Sequence, residues 1–484
     1  MNLFARKPLE KILAESGSDS HGHSLKRTLT ATQLVSLGIG AIIGAGIFSL
    51  TGVAAAQHAG PAVVFSFVLA AVACAFAGFC YSEFATMIPV AGSAYTYAYA
   101  TMGELLAWII GWALVLEYAI GAATVSVSWS GYMVSILESF GIQLPQHLIH
   151  SPWDPVPGMI NLPSLIIIWI ISAILIIGIQ ESARFNALIV AVKLSVVILF
   201  IGLGYFFINY DNYKPFLPEN TTGEFGKYGW TGVLAAAGQI FFAYIGFDAV
   251  STAAQEARNP KRDMPIGIVG SLAICTVLYI LYAAVLTGVV NYKELNVAAP
   301  LAVAVDRMKN LPWLGFLMKL GSLAGLTSVM LVMLLGQSRV FYSMSRDGLL
   351  PEMFSELHER FATPWKSNVL LMLCVGLLGA FTPIQQLGNL TSMGTLWAFT
   401  LVCIGVIIMR RTHPDTPRPF RTPLVPLVPI LGVLFCLLLM FSLDRITKVA
   451  FFAWMTIGLV VYFSYSRSRS HLQLANREAA ARRL

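Results

Sequence analysis

The sequence predicts an all-α membrane protein of twelve transmembrane helices, arranged as two inverted units of five followed by two extra helices, and three observations carry that prediction. The chain of 484 residues is 57% hydrophobic and 11% charged, where a soluble domain carries about 25% charged residues. Twelve stretches are apolar over the roughly 20 residues a helix needs to cross hydrocarbon, and backbone in lipid must satisfy its own hydrogen bonds, so these stretches are helical. Glycines interrupt the first and the sixth of them. These two lie five helices apart, and because five is odd, a unit beginning at the sixth enters the membrane in the opposite direction from the first.

In chain order, residues 1–29 are polar, with "ESGSDSHGHS" reading as a flexible leader and the whole stretch as a cytoplasmic tail. The spans then fall near 33–56, 62–88, 104–136, 163–180, 186–209, 231–254, 266–290, 313–344, 367–382, 389–410, 423–442 and 449–466. The first repeat covers about 33–209, the second about 231–410, and the two extra helices 423–466; residues 467–484 form a second cytoplasmic tail. The connections are too short for a globular head, so any function resides among the helices. Ala54, Ala55 and Ala56 at the end of the first span imitate a signal-peptidase site. The long polar stretch before that span, its glycines and the spans that follow favour a retained helix.

The positive charge is concentrated in the tails and in "EARNPKRDMP", "SRDGLLPEMFSELHERFATPWKSN" and "RRTHPDTPRPFRT". By the positive-inside rule both termini are then cytoplasmic, and the net charge of +7 calls for no nucleic acid. The six cysteines all fall inside apolar spans without a C-x-x-C pair and read as packing residues. His147 and His150 lack a third ligand nearby, so no metal and no other cofactor is expected.

In "GIGAIIGAGIFSLTG", Gly38, Gly40, Gly44 and Gly46 crowd what ought to be a good helix; in "GQIFFAYIGFDAVS" stand Gly238, Gly246 and Asp248. Ser36, Gly40 and Gly44 also form a small-xxx-small ridge suited to close packing. Gly46 lies off that ridge, which favours unwinding around Gly44, Ala45 and Gly46. The first segment is not a dinucleotide fingerprint, since position 43 is Ile and no strand precedes it.

An unwound span presents free N–H groups and the positive end of a dipole from its second half, which suits a carboxylate. Its first half ends in free carbonyls, and a break near Phe242 to Ile245 supplies more, which suits an ammonium group. A zwitterionic α-amino acid carries both charges. Phe242 and Tyr244 read either as aromatic gates of such a pocket or as plain packing.

The segments "GIGAIIGAGIF", "PVAGSAYTYAYATMGELLAWIIGWALVLEY", "FFAYIGFDAVSTAAQEARNPKRDMPIGI" and "RVFYSMSRDGLLP" resemble the cationic amino acid transporter family of the amino acid/polyamine/organocation superfamily, in its bacterial twelve-helix form, over about residues 25–465. The resemblance implies the leucine-transporter type of 5+5 inverted repeat, alternating access and, in bacterial members, proton-driven uptake across the plasma membrane. It implies that Ile42, Gly44, Ala45 and Gly46, with Phe242 and Ile245, hold the substrate's carboxylate and amine. Where some members have a hydroxyl at the Ala45 position, this chain has none, so its carboxylate relies on backbone N–H groups.

Three charges lie inside spans. Lys193 sits seven residues into the fifth, about 10 Å from its end in a helix of 1.5 Å rise, where a buried charge costs from about 2.5 kcal/mol upward. Snorkelling to the cytoplasmic surface is one reading. The other, which the family's span-five lysine supports, is that its ammonium takes the place of a sodium ion, bridging spans one and eight and coupling transport to proton loss. Glu117 and Asp248 either assist that coupling or form structural pairs.

In "GLTSVMLVMLLGQSR", Met330 and Met333 are bulky and apolar, and by the resemblance Met333 stands where mammalian members with long cationic substrates have a smaller residue. Alanine or branched-chain substrates are therefore expected over arginine or lysine. The expected function is proton-coupled uptake of neutral L-amino acids in contact with membrane lipid. Exchange or uniport without a proton, cationic substrates, an amino acid sensor and a small membrane subunit remain open. No constellation of catalytic residues is apparent, so an enzyme is not expected.

Overall fold

The computed structural model describes residues 3–8, 29–88, 93–178, 183–252, 257–308 and 312–481. The expected flexible leader "ESGSDSHGHS" and Glu256, the first residue of "EARNPKRDMP", lie outside them. The described residues are helical, with no strand among them.

In chain order the helices are α1 (Ala31–Ile42), α2 (residues 46–59), α3 (Val63–Met87), α4 (Ser93–Thr101), α5 (Glu104–Ser139), α6 (Leu162–Ile177), α7 (Ala183–Gly204), α8 (Gly229–Ile240), α9 (Ala249–Thr252), α10 (Pro260–Val289), α11 (Pro300–Arg307), α12 (Pro312–Arg346), α13 (Trp365–Phe381), α14 (Ile384–Thr412), α15 (Leu427–Ser442), α16 (Arg445–Val461) and α17 (His471–Ala481). Among the described residues seven helical runs are long and apolar enough to cross a membrane, and four shorter apolar helices accompany them. The chain is a multi-pass membrane protein.

Local chemistry sets the boundaries. Thr30 and Gln33 form a reciprocal capping box that starts α1. Asn161 caps α6, which ends at Gly178 in the left-handed conformation. Asp444 caps α16 through the N–H of Thr447 at 2.7 Å. The run from Gly46 to Met87 is divided where Gly60, at φ +59°, turns the chain from α2 into α3.

The helices pack as an apolar bundle whose interior includes the breaks described below. α10 lies along both α1 and α3, α12 along the second half of α5, α13 along α6, and α15 along α14. Two polar fastenings hold this arrangement. Glu83 on α3, 2% exposed, accepts two 2.9 Å hydrogen bonds from Arg410 at the end of α14 and one of 2.8 Å from the N–H of Thr422. Trp112 on α5 and Trp454 on α16 stack at 4.6 Å, and each indole N–H donates to the other residue's carbonyl, at 2.9 and 3.1 Å.

Candidate functional site

Two helices stop inside the bundle and resume. α1 ends at Ile42, Ile43 is extended (φ −72°, ψ 107°), and helix begins again at Gly46 with a wide π turn. α8 ends at Ile240, tightens through Phe241–Tyr244, becomes extended at Ile245 (φ −61°, ψ 134°) and turns at Gly246 (φ +120°) before α9. The sequence places this second interruption at Phe242 to Ile245. In the structure Phe242 belongs to the tight turn, and the non-helical residues follow from Ile245, because the positive φ that frees the chain is at Gly246.

The breaks touch. A Cβ on Gly46 would lie 2.2 Å from Ala243 Cα, and one on Gly246 would lie 2.7 Å from the carbonyl carbon and oxygen of Ala41. Glycine at 46 therefore serves the approach of one broken strand of backbone to the other. Gly38 and Gly40 serve neighbouring helices instead, facing Ser271 and Val190. The packing and unwinding readings of this glycine cluster thus apply to different members of it.

One side chain ties both breaks together. The Tyr279 hydroxyl, on α10, lies 2.9 Å from Ile42 O and 2.9 Å from Ala243 O. A hydroxyl has one proton, so the two carbonyls share a single donor. The ring is held between Tyr244 at 5.4 Å and Phe67 at 5.5 Å. Sequence reasoning passed over Tyr279, since a tyrosine in an apolar span carries the same pattern whether it packs or bonds.

Lys193 on α7 is 1% exposed. Its ammonium donates to the carbonyls of Gly40 and of Ile43, the latter at 3.1 Å. Gly40 is in the last turn of α1 and Ile43 is the first residue beyond it, at the negative end of the helix dipole, where a cation is favoured. The aliphatic stem passes α12 at Gly325, where a Cβ would sit 3.2 Å from Lys193 Cβ. The lysine thus reaches from α7 to α1 beside α12, and its charge ends buried inside the bundle.

A cavity of about 140 Å³ lies beside the breaks, with Leu37 and Asn186 on its wall toward the end of the molecule from which α1 enters. Gly40, Ala41, Ile245 and Gly246 form one side; Ser328, Val329, Val332 and Met333 of α12 form the other; Glu117, Tyr118 and Asp248 complete it. Tyr118 donates to Asp248 Oδ2 at 3.3 Å. Glu117 stands beside Asp248 and Thr395, yet neither of its oxygens has a hydrogen bond of normal geometry among the described residues. On the far side of the breaks Phe48, Ser49 and Tyr132 are buried. Ser49 bonds Ser128 and the carbonyl of Ala298, and the Tyr132 hydroxyl donates to Phe48 O at 2.6 Å.

Of the residues singled out from the sequence, Ile245, Met333, Glu117 and Asp248 line this cavity. Ile42, Gly44, Ala45, Gly46 and Phe242 lie buried at the breaks themselves, and a Cβ on Gly44 would meet the cavity residue Val329 at 3.3 Å. Met330 is fully buried and off the cavity wall. Tyr118, Asn186, Ser328, Val329 and Val332 join the site from positions that no sequence pattern marks. The carbonyls expected to be free are partly engaged, by Lys193 at Gly40 and Ile43 and by Tyr279 at Ile42 and Ala243. A carbonyl oxygen carries two lone pairs, so one such bond does not by itself exhaust it as an acceptor.

A model of the amino acid permease family matches residues 29–463. The chain is 44% identical over 471 residues to the methylthioribose transporter of Bacillus subtilis (strain 168), covering 97% of this chain and 99% of that protein. It is 44% identical over 475 residues to the branched-chain amino acid permease BcaP of the same strain, covering 97% and 99%. Against the vacuolar cationic amino acid transporter 2 of Arabidopsis thaliana it is 38% identical over 409 residues, covering 84% of this chain and 63% of the other.

Proposed function

The chain belongs to the amino acid permease family, a transporter and not an enzyme, and from that premise we propose that it takes up neutral L-amino acids with a proton by alternating access. The observation that carries this reading is Lys193 on the carbonyls of Gly40 and Ile43. A charged lysine there ties the broken helix to α7, alongside α12, more strongly than a neutral one would. Loss of its proton removes the charge assistance from both bonds and weakens the hold on α1, so the proton is coupled to the gate.

The proposed architecture has twelve crossings. α1 with α2 is the first and α8 with α9 the sixth; α3, α5, α6 and α7 complete one unit, α10, α12, α13 and α14 the inverted one, with α15 and α16 outside the repeat. Both termini are cytoplasmic and the membrane is the plasma membrane. The cavity, bounded on the terminal side by Leu37 and Asn186, is then the inward-facing route, and the Ser49–Ser128 contact closes the outward one.

The substrate carboxylate binds the N–H groups at the start of α2, from Gly44 to Gly46, where the dipole is positive. Its ammonium takes the remaining lone pairs of carbonyls at Ile42, Phe242 and Ile245. Met333 limits the side chain, which favours alanine or branched-chain substrates, as the name of the permease BcaP also does. Glu117 and Asp248, which stand together on the cavity wall, carry or relay the proton.

A second reading comes from the equally similar methylthioribose transporter. A thiosugar has no charge for the breaks to meet, and the paired carbonyl and N–H ends argue for the amino acid. Purified protein in liposomes decides between them. Labelled leucine or alanine should accumulate when the outside is acidified, and methylthioribose should not compete. Uptake indifferent to the pH gradient would remove the coupling, and competition by methylthioribose but not by leucine would replace the substrate.

A further inference from the structure

Residues 3–8 and the start of α17 both bond to the feet of helices that line the cavity. Residues 3–8 lie across the start of α5, where the first N–H groups of a helix have no partner within it. The carbonyl of Ala5 accepts from Glu104 N–H at 3.0 Å and that of Leu3 from Leu105 N–H at 3.1 Å, while Lys7 N–H donates to Tyr99 O at 3.1 Å. Gly103, at φ +99°, admits this approach, since a Cβ there would lie 2.6 Å from the Phe4 backbone. The opening residues therefore act as the cap of α5.

Two carboxylates then bind both termini. Asp347, just beyond α12, accepts from Lys7 Nζ at 2.8 Å and from the Tyr95 hydroxyl at 2.7 Å, and its carbonyl accepts from His471 N–H at 3.1 Å. Glu104 accepts from Ser470, from Tyr462 at 2.9 Å and from Tyr99 at 3.1 Å. Lys7 and Asp347 are 13% and 16% exposed, so their attraction is only partly screened.

We infer that residues 3–8 and the start of α17 form a clasp joining the feet of α5 and α12, and that releasing Lys7 from Asp347 loosens the cavity on its terminal side. Glu117 and Met333 stand 13 and 14 residues along these helices from Glu104 and Asp347, about 20 Å at 1.5 Å rise per residue. The wall carrying both residues is thus fastened at its base by an ion pair and a borrowed cap. Parting the wall requires the feet to move, and the clasp resists that movement. The inference rests on the cavity being the transport route, and its test needs no substrate.

The reporter is Ser328→Cys, a buried position on the cavity wall, with the exposed Cys374 replaced by Ser. In nanodiscs its modification by a small maleimide is timed. Lys7→Glu and Asp347→Lys should each quicken it by at least about tenfold, the scale of one charge-assisted hydrogen bond. The exchanged pair, Lys7→Glu with Asp347→Lys, should return it to within about twofold of the parent, allowing for imperfect geometry. Should Asp347→Lys fail to fold, Lys7→Met replaces it. Raised salt then quickens labelling of the parent and leaves Lys7→Met unchanged. Equal rates in the parent and Lys7→Glu, or an exchanged pair as fast as the single changes, overturn the clasp. Protection of the reporter thiol by leucine is read separately, and its absence counts against the substrate and not against the clasp.

Discussion

Lys193 Nζ lies 3.1 Å from the carbonyl oxygen of Ile43, the first residue beyond α1, so the interruption in that helix has a side chain from another helix as its counter-charge. Breaking a helix inside a bilayer exposes carbonyls that water cannot reach. The lysine satisfies two of them, and its own charge is satisfied in return.

Lys193→Met keeps the stem against Gly325 and removes the ammonium. Accumulation driven by a pH gradient should fall by at least about tenfold, since one lost charge-assisted bond is worth about 1.5–3 kcal/mol. Exchange of labelled for unlabelled substrate should survive. Liposome flux with and without an imposed gradient measures both.

Gly46→Ala and Gly44→Ala should differ sharply. At 46 the new methyl meets backbone, Ala243 Cα, at 2.2 Å, and the breaks must separate; at 44 it meets a valine methyl at 3.3 Å, which can shift. Substrate affinity should drop by about tenfold or more in the first, where overpacking costs about 1–3 kcal/mol, and by only a few-fold in the second. Equilibrium binding by thermal shift tests this.

Tyr279→Phe leaves the stack on Tyr244 and Phe67 and takes away the proton shared by Ile42 O and Ala243 O. An orphaned buried acceptor costs about 1–3 kcal/mol. The protein should remain folded while maximal transport rate falls by about tenfold, as initial rates over a substrate series will show.

Met333→Ala widens the cavity. Competition by arginine and lysine should strengthen, and affinity for leucine should fall by about tenfold, a missing side chain in an apolar pocket being worth about 1–3 kcal/mol. Gly121→Ala should act in the opposite sense, since its methyl would press on Met333 Sδ at 3.1 Å.

Glu83→Gln removes the charge that pairs Arg410 and, at 3.4 Å, the buried Arg418. Breaking one partner of a buried ion pair costs about 3–5 kcal/mol. A lower melting temperature in detergent, with transport retained at low temperature, is the expected result.

Much of this was legible in the sequence because membrane constraints write themselves in single residues. Glycine in a span that must be helical, or lysine among leucines, has few explanations, so Gly46, Gly246 and Lys193 stood out. What each of them meets did not. Ala243 and Ala41 are ordinary alanines, and only folding brings them against Gly46 and Gly246. Tyr279 and Tyr118 have no signature apart from packing. Residues 3–8 looked like part of a featureless tail, because the donors they cap belong to Glu104 and Leu105, about a hundred residues away in the chain. Local pattern locates an anomaly; its partner is a property of the fold.

The mutual bonds of Trp112 and Trp454 have a bearing on how the molecule works as a machine. Neither indole can slide along its neighbour without surrendering two contacts at once, so the last long apolar helix of the chain is welded to the one that carries Glu117. Whatever rocks during a turnover, these two helices belong to the same casting.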